Sequence, residues 1–183
     1  HPDLLDPRED VYLELLPLYN FPGQHKKAYK QLMNRTFHPW EGGEGRVSGQ
    51  YVYSLTELAK ENILQGQVES AIERLNEAQT YPPNLGEGKL FGTREHDLYY
   101  WLGIAHQQLG NTHEANEYWT KATEGDYEPE PAIFYNDQPA DTILYQGLSW
   151  LKLDEEKQAK DIFQKLIEYG EKHVDDHVSI DYF

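Results

Sequence analysis

Two histidines near the end of the chain have a spacing that can bind a metal ion. His173 and His177 are one helical turn apart, so a helix would present both imidazoles on one face. Zinc proteases with this spacing carry a glutamate directly after the first histidine, and here Val174 occupies that position. A solvated helix end explains both histidines, and we therefore predict no metal site and no cofactor.

Carboxylates that could act as acids or bases are abundant. A pair at a suitable separation would indicate glycoside hydrolysis. The candidates are Glu41, Glu44, Glu87, Asp126, Glu128 and Glu130. With 32 Asp and Glu among 183 residues, several neighbouring carboxylates are expected in any case. Because the sequence shows no base, nucleophile and orienting group as a set, we predict no catalytic residues in this chain.

The charge of the chain excludes several partners. Its formal net charge is −16, and phosphate groups are bound by Lys and Arg, so we predict neither a nucleic-acid nor a membrane-surface partner. The sequence lacks an apolar run of roughly 18 residues that would predict a membrane-spanning helix. The absence of cysteine is compatible with the cytoplasm, where we place the protein as an expectation.

A repeat positions these residues. Four alanines recur at spacings of 43, 44 and 44 residues: Ala28, Ala71, Ala115 and Ala159. Five residues before each alanine is a turn residue: Gly23, Gly66, Gly110 and Asp154. Four residues after each is a large apolar residue: Leu32, Leu75, Trp119 and Phe163. Twelve residues before each is a residue that is small in three of the four cases: Leu16, Ala59, Gly103 and Gly147.

This register predicts an all-α fold of four helical hairpins over residues 8–36, 50–80, 96–124 and 140–173. In each hairpin the turn residue ends the first helix, and the small residues let the two helices approach closely. Pro17 is expected to kink or shorten the first helix. The alternative is an ordinary helical bundle whose spacings coincide by chance.

The second and third hairpins resemble the tetratricopeptide repeat. The matching residues of the second hairpin are Leu58-Ala59, Gly66, Ala71, Leu75, Ala78 and Pro83, and those of the third are Leu102-Gly103, Gly110, Ala115, Trp119 and Ala122. The fourth hairpin departs from that pattern at Gln146 and Asp154. The resemblance implies an α-solenoid over residues 1–183.

Each repeat is longer than the roughly 34 residues of a tetratricopeptide unit, and the surplus follows the second helix. The first two inserts, residues 36–46 and 80–89, share a sequence pattern. Each begins with Thr and an aromatic residue, has Pro two positions after the aromatic residue, and ends with Gly-Glu-Gly followed by a basic residue. Such loops are either a binding edge or packed spacers between repeats. The candidate loop residues are Phe37, His38, Trp40, Glu41, Glu44, Arg46, Tyr81, Glu87, Lys89, Tyr135, Asn136 and Asp137.

The insert sequences resemble the C-terminal helical region of a bacterial family with an N-terminal part of unknown function. That resemblance implies a fragment of a larger protein, whose missing part is similar to carbohydrate-active folds. We also expect the first two inserts to lie together, with Glu44 and Arg46 forming an ion-pair ladder with Glu87 and Lys89.

The first helices should line an apolar concave groove. Its predicted residues are Tyr53, Lys60, Ile63, Tyr100, Ile104, Leu144, Leu148 and Leu151. Such a surface is normally covered by a partner, here another domain of the parent chain, another protein or a second copy in a homodimer. We favour an interaction and scaffold module. The alternative is a substrate-binding part of a carbohydrate-processing enzyme, with insert aromatics stacking on sugar rings.

Overall fold

A computed structural model describes residues 8–39, 43–130 and 140–176. Over these ranges the chain forms eight α-helices, one short 3-10 turn (Pro83–Leu85) and no strand. The helices are α1 Glu9–Asn20, α2 His25–Met33, α3 Arg46–Leu64, α4 Val68–Ala78, α5 His96–Gln108, α6 Thr112–Ala122, α7 Ala140–Lys152 and α8 Glu156–His173. The predicted all-α fold of four hairpins is confirmed. The largest boundary difference is at α3, which begins at Arg46 rather than at residue 50.

The turn inside each hairpin has the same backbone geometry. Its central residue lies in the left-handed region, with φ of 80° at Gly23, 74° at Gly66, 79° at Gly110 and 62° at Asp154. In every turn the next backbone N–H donates to a carbonyl five residues earlier, as from Asn111 to His106 at 3.0 Å. In each turn this hydrogen bond satisfies a carbonyl near the end of the first helix, and Asp154 adopts the same backbone conformation as the three glycines.

Each hairpin packs on the next through its second helix, which contacts the first helix that follows, and the first helices also contact one another. Within each hairpin the two helices pack together, and α1 contacts α3, α3 contacts α5 and α5 contacts α7. The four repeat alanines are fully buried, as their spacing predicts. A hydrophobic core therefore runs through the first three hairpins, and α7 joins the fourth hairpin to them by packing on α5 and α6.

The first hairpin belongs to the array despite Pro17, which lies inside α1 three residues before the helix ends. It is joined to the second hairpin by a buried polar network. The amide nitrogen of Asn20 donates to Gln50 at 2.9 Å and to Ser54 at 3.1 Å, and His25 Nδ1 lies 3.0 Å from Asn20 Oδ1. The helix continues through Pro17 to Asn20, and these hydrogen bonds attach its end to α3.

Side chains from other elements satisfy the carbonyls that end the second helices. The hydroxyl of Tyr51 donates to the carbonyl of Glu77 in the last turn of α4 and to that of Thr80 just beyond it, at 3.2 and 3.3 Å. Gln146, which replaces the usual leucine, is fully buried and donates to the carbonyl of Glu124 after α6 at 2.9 Å. Gln146, which departs from the repeat pattern, therefore caps α6, because its amide donates to a backbone carbonyl that has no partner within the helix.

Candidate functional site

The first two inserts lie side by side. The N–H of Phe37 donates to the carbonyl of Asn84 at 2.8 Å. Gly86, at φ 75°, passes so close that a Cβ atom there would lie 2.4 Å from the carbonyl oxygen of Phe37. Only glycine fits this backbone conformation and this approach. The two inserts that share the Gly-Glu-Gly ending are thus in contact with each other.

The second insert also caps two helices of the first two hairpins. Asn84 Nδ2 donates to the carbonyls of Leu32 and Arg35 at the end of α2, at 3.0 and 2.9 Å. The two carboxylate oxygens of Glu87 accept from the N–H groups of Gly45 and Ser48 at the start of α3, at 2.8 and 2.7 Å. A carboxylate at a helix N-terminus is favoured by the unpaired N–H groups and by the helix dipole.

The predicted ion-pair ladder between the inserts is wrong. Arg46 pairs with Glu14 on α1, because residue 46 begins α3 and its side chain reaches back to the neighbouring helix. Lys89 pairs with Glu95 at 2.5 Å. Glu44 is exposed, while its counterpart Glu87 serves as the cap. Identical short sequences therefore carry different contacts in the two inserts.

The aromatic residues of these inserts are used mainly in packing. Phe37 is only 3% exposed and packs on the ring of Tyr12, with centroids 6.1 Å apart. Tyr81 meets Tyr51 edge to face at 6.3 Å, and burial raises the pKa of its hydroxyl to about 12. The buried ring of Phe37 has no free face of the kind that stacks on a sugar, so the carbohydrate alternative loses this residue.

A depression remains open between the two inserts. Its volume is about 300 Å³, and its lining is His38, Pro39, Gly43, Glu44, Val47, Leu85, Gly86 and Glu87. The exposed imidazole of His38 is paired with Glu9 at 2.5 Å. Trp40 and Glu41, also predicted for this edge, lie outside the described residues.

The third insert is described only in its first part. Tyr135, Asn136 and Asp137 fall outside the described residues, as does His177. In the described part Glu128 pairs with Lys165 on α8, whose ammonium lies 4.4 Å from the centre of the Tyr127 ring. These contacts attach the start of the insert to the last helix.

The residues predicted to line a groove lie on α3, α5 and α7, and Ile63 needs a correction. Ile63 is only 6% exposed and belongs to the core, because α3 is long and its last turn packs against α4. The most open apolar positions are Tyr53, Leu144 and Leu151, which are 46%, 41% and 42% exposed. Tyr100, Ile104 and Leu148 are partly buried between them. The groove therefore presents apolar surface contributed by three successive hairpins.

The cations near the groove have partners of their own. Lys60 pairs with Glu57 at 2.6 Å and lies 5.3 Å from the centre of the Trp101 ring. The ammonium of Lys152 donates to Gln107 at 3.1 Å. Tetratricopeptide grooves that clamp a peptide carboxylate need free cations. These pairs leave no such clamp on the part of the groove that the structure describes.

A second pocket of about 310 Å³, which the sequence analysis missed, includes the groove residue Tyr53 in its lining. Its lining is Gly45, Ser48, Gly49, Val52, Tyr53, Tyr81, Glu87, Gly88, Leu90, Thr93, Arg94, Asp97, Asp141 and Thr142. Asp97 and Asp141 are the second residues of α5 and α7, and Tyr53 is their equivalent in the register of α3. The spacing of 44 residues between these three positions is the sequence feature that could have predicted the pocket.

Burial and like charge shape the electrostatics of this pocket. Burial is the main cause that raises the pKa of the Asp97 carboxyl to about 6; the charges of Asp141 and Glu95 act in the same direction, and hydrogen bonds from the backbone N–H groups of Leu98 and Asp97 partly oppose them. Burial lowers the pKa of the adjacent His96 to about 4, as does the charge of Arg94. A carboxylate that is costly to ionise is stabilised by any cation brought beside it.

Comparison with known proteins identifies the repeat. A family model described as "Tetratricopeptide repeat" matches residues 97–124 and 141–169, which are the third and fourth hairpins. The third and fourth hairpins thus match the tetratricopeptide repeat. The match ends near the ends of α6 and α8, so the long connections fall outside the standard unit.

Two solved structures described as MamA resemble the chain. The first is 19% identical, covers 94% of this chain and 86% of the other, and has a TM-score of 0.39. The second is also 19% identical, covers 93% and 77%, and has a TM-score of 0.38.

Two further findings concern the described residues alone. None of their helices is both long and apolar enough to cross a membrane. They also contain no group of three or more His, Asp or Glu side chains arranged to hold a metal ion.

Proposed function

We propose that this tetratricopeptide-like array is a protein-interaction and scaffold module that binds a polypeptide in the groove formed by its first helices. The observation that carries the proposal is the row of open apolar side chains on α3 and α7, namely Tyr53, Leu144 and Leu151. Each is a large apolar group on a rigid helix, where packing inside the chain leaves roughly two-fifths or more of its surface exposed. Contiguous surface of this kind is typical of interaction sites.

The partner we propose is another domain of a longer protein or a separate protein. The depression between the inserts would add a second, polar contact through His38 and Glu44. Both side chains are exposed, and beside them Asn84 and Glu87 attach the second insert to the end of α2 and the start of α3. Backbone that is already held by hydrogen bonds loses little conformational entropy when a partner docks, which favours its use in recognition.

A site-specific photocrosslink tests the groove. A benzoylphenylalanine at Leu144 should crosslink one identifiable protein in the cells that produce this chain. The same group at Glu73, exposed on α4 away from the groove, is the control. Binding of that protein, once purified, should weaken at least tenfold in Leu144→Ser/Leu151→Ser, since anchor residues of an interface typically cost more than 1 kcal/mol. Equal crosslinking from both positions, or wild-type affinity of the double variant, would refute the proposal.

A further inference from the structure

The acidic pocket adjoins the groove residues on α3 and at the start of α7. Tyr53 belongs to both, and Leu144 follows Asp141 by one turn on α7. A segment that lies on the apolar residues of α7 therefore has one end at the two carboxylates. The charge of the pocket therefore determines which residue the segment can carry at that end.

The pocket lining carries three carboxylates, Glu87, Asp97 and Asp141, and one cation, Arg94, so negative charge is in excess. Among the described residues, no ion pair joins Asp97 or Asp141 to a cation, and Arg94, on the same pocket wall, has no ion pair with either. The charges that act on Asp97 are those of Asp141 and Glu95, and both oppose its ionisation. A bound cation would relieve this repulsion, whereas a bound carboxylate would add to it.

We infer that the occupant of the groove is an apolar segment carrying a lysine or arginine, whose charged end enters the pocket between Asp97 and Asp141. The inference rests on the proposed function for the groove and names the chemistry of its partner. The alkyl part of such a side chain would lie against Val52, Tyr53 and Leu90, and its ammonium or guanidinium would reach the carboxylates. Long basic side chains commonly pack in this way, with a buried stem and a paired head.

The charge of the whole chain supports the same partner. A net charge of −16 attracts basic segments over distances of about a Debye length, roughly 8 Å at physiological salt. A divalent cation is a poorer occupant, because the described residues supply no group of three ligands around the pocket. The pocket thus fits one monovalent group on a flexible stem.

Three matched peptides test the inference by NMR on the ¹⁵N-labelled chain at pH 7.5 and low salt. They are acetyl-Ala-Leu-Lys-Leu-Ala-amide and its counterparts with norleucine or glutamate in the central position. The lysine peptide should shift the backbone amide signals of Asp97, Leu98 and Asp141 and bind about tenfold more tightly than the norleucine peptide. The glutamate peptide should bind most weakly, and added salt should reduce the lysine preference.

Charge-matched variants complete the test. Asp97→Asn/Asp141→Asn should abolish the preference for lysine, while Asp161→Asn/Glu171→Gln, which removes two exposed charges on α8, should retain it. Equal affinity for the lysine and norleucine peptides would overturn the inference and leave the groove proposal intact. If none of the three peptides shifts signals along α5 and α7, both the inference and the groove proposal fail. A lysine preference that survives in Asp97→Asn/Asp141→Asn would also overturn the inference.

Discussion

The indole ring of Trp119 lies directly over Gly103. A Cβ atom at residue 103 would come within 2.3 Å of the indole Nε1, and that nitrogen donates to the carbonyl of Tyr100 at 3.2 Å. The next hairpin repeats the arrangement, since a Cβ atom at Gly147 would lie 2.4 Å from Phe163 Cε1. The small and large residues of the repeat register are therefore contact partners.

Gly103→Ala should destabilise the protein. The added methyl group requires the ring of Trp119 to move, and overpacking of this kind costs about 1–3 kcal/mol of unfolding free energy. Gly49→Ala is the matched control, because Gly49 is also inside a helix but has no atom within 4 Å of the added carbon. There alanine should stabilise by up to about 1 kcal/mol. Urea midpoints of the two variants should move in opposite directions, and a parallel shift would contradict the packing argument.

Changes on the facing helix give a second test. Trp119→Ala should cost about 3–5 kcal/mol, because the side chain is nearly fully buried. Ala115→Leu should cost about 1–3 kcal/mol, since Ala115 has no exposed surface in the contact between α5 and α6. Guanidinium unfolding followed by tryptophan fluorescence and by circular dichroism measures both. Wild-type midpoints would mean that these two residues do not form the hairpin contact.

The hairpin packing was predictable because it depends on residue size at fixed spacing, and the insert contacts were not. Glu44 and Glu87 occur in the same Gly-Glu-Gly sequence, yet one is exposed and the other caps α3. Their roles differ because the second insert lies against the start of α3. Ile63 was misplaced for a related reason, as the periodicity of α3 does not show where its last turn meets α4. Long-range contacts of loops and helix ends carry no local periodic signal.

Asp154→Gly should stabilise the fourth hairpin. Asp154 holds φ at 62°, a conformation that strains an L-residue and costs glycine nothing. The expected gain is up to about 1 kcal/mol, reduced by the entropy that glycine adds to the unfolded chain. The reverse change, Gly110→Asp at φ 79°, should destabilise the third hairpin by a similar amount. Thermal unfolding of both variants measures this, and loss of stability in Asp154→Gly would contradict it.

Glu87→Ala should loosen the start of α3. It removes two hydrogen bonds to N–H groups of a helix N-terminus, which together contribute about 1–3 kcal/mol. Glu44→Ala is the control, since that side chain is exposed in the equivalent sequence and its loss should change the unfolding free energy by no more than about 0.5 kcal/mol. Hydrogen exchange at Gly45 and Ser48 should accelerate only in Glu87→Ala. Unchanged exchange there would show that the cap is absent in solution.

Asp97 and His96 should give stability opposite dependences on pH. Asp97 has a pKa of about 6 in the folded chain against about 3.9 when unfolded, so the folded state binds the extra proton between these values. The contribution of Asp97 to stability therefore falls as pH rises from about 4 to 6. His96 has a folded pKa of about 4 against about 6.5 unfolded, so there the unfolded state binds the extra proton and the contribution rises with pH.

The two effects partly cancel in the wild-type chain, and Asp97→Asn should separate them. At pH 7.5 this variant should be more stable than wild type by roughly 1–2 kcal/mol, because it removes a carboxylate ionised at a cost beside Asp141. The gain should disappear near pH 4, where Asp97 of the folded wild type is protonated. The variant should then lose stability more steeply than wild type on acidification, since the His96 effect is no longer opposed. Urea unfolding at pH 4.5, 6 and 7.5 measures the difference, and a gain independent of pH would show that Asp97 ionises normally in the folded chain.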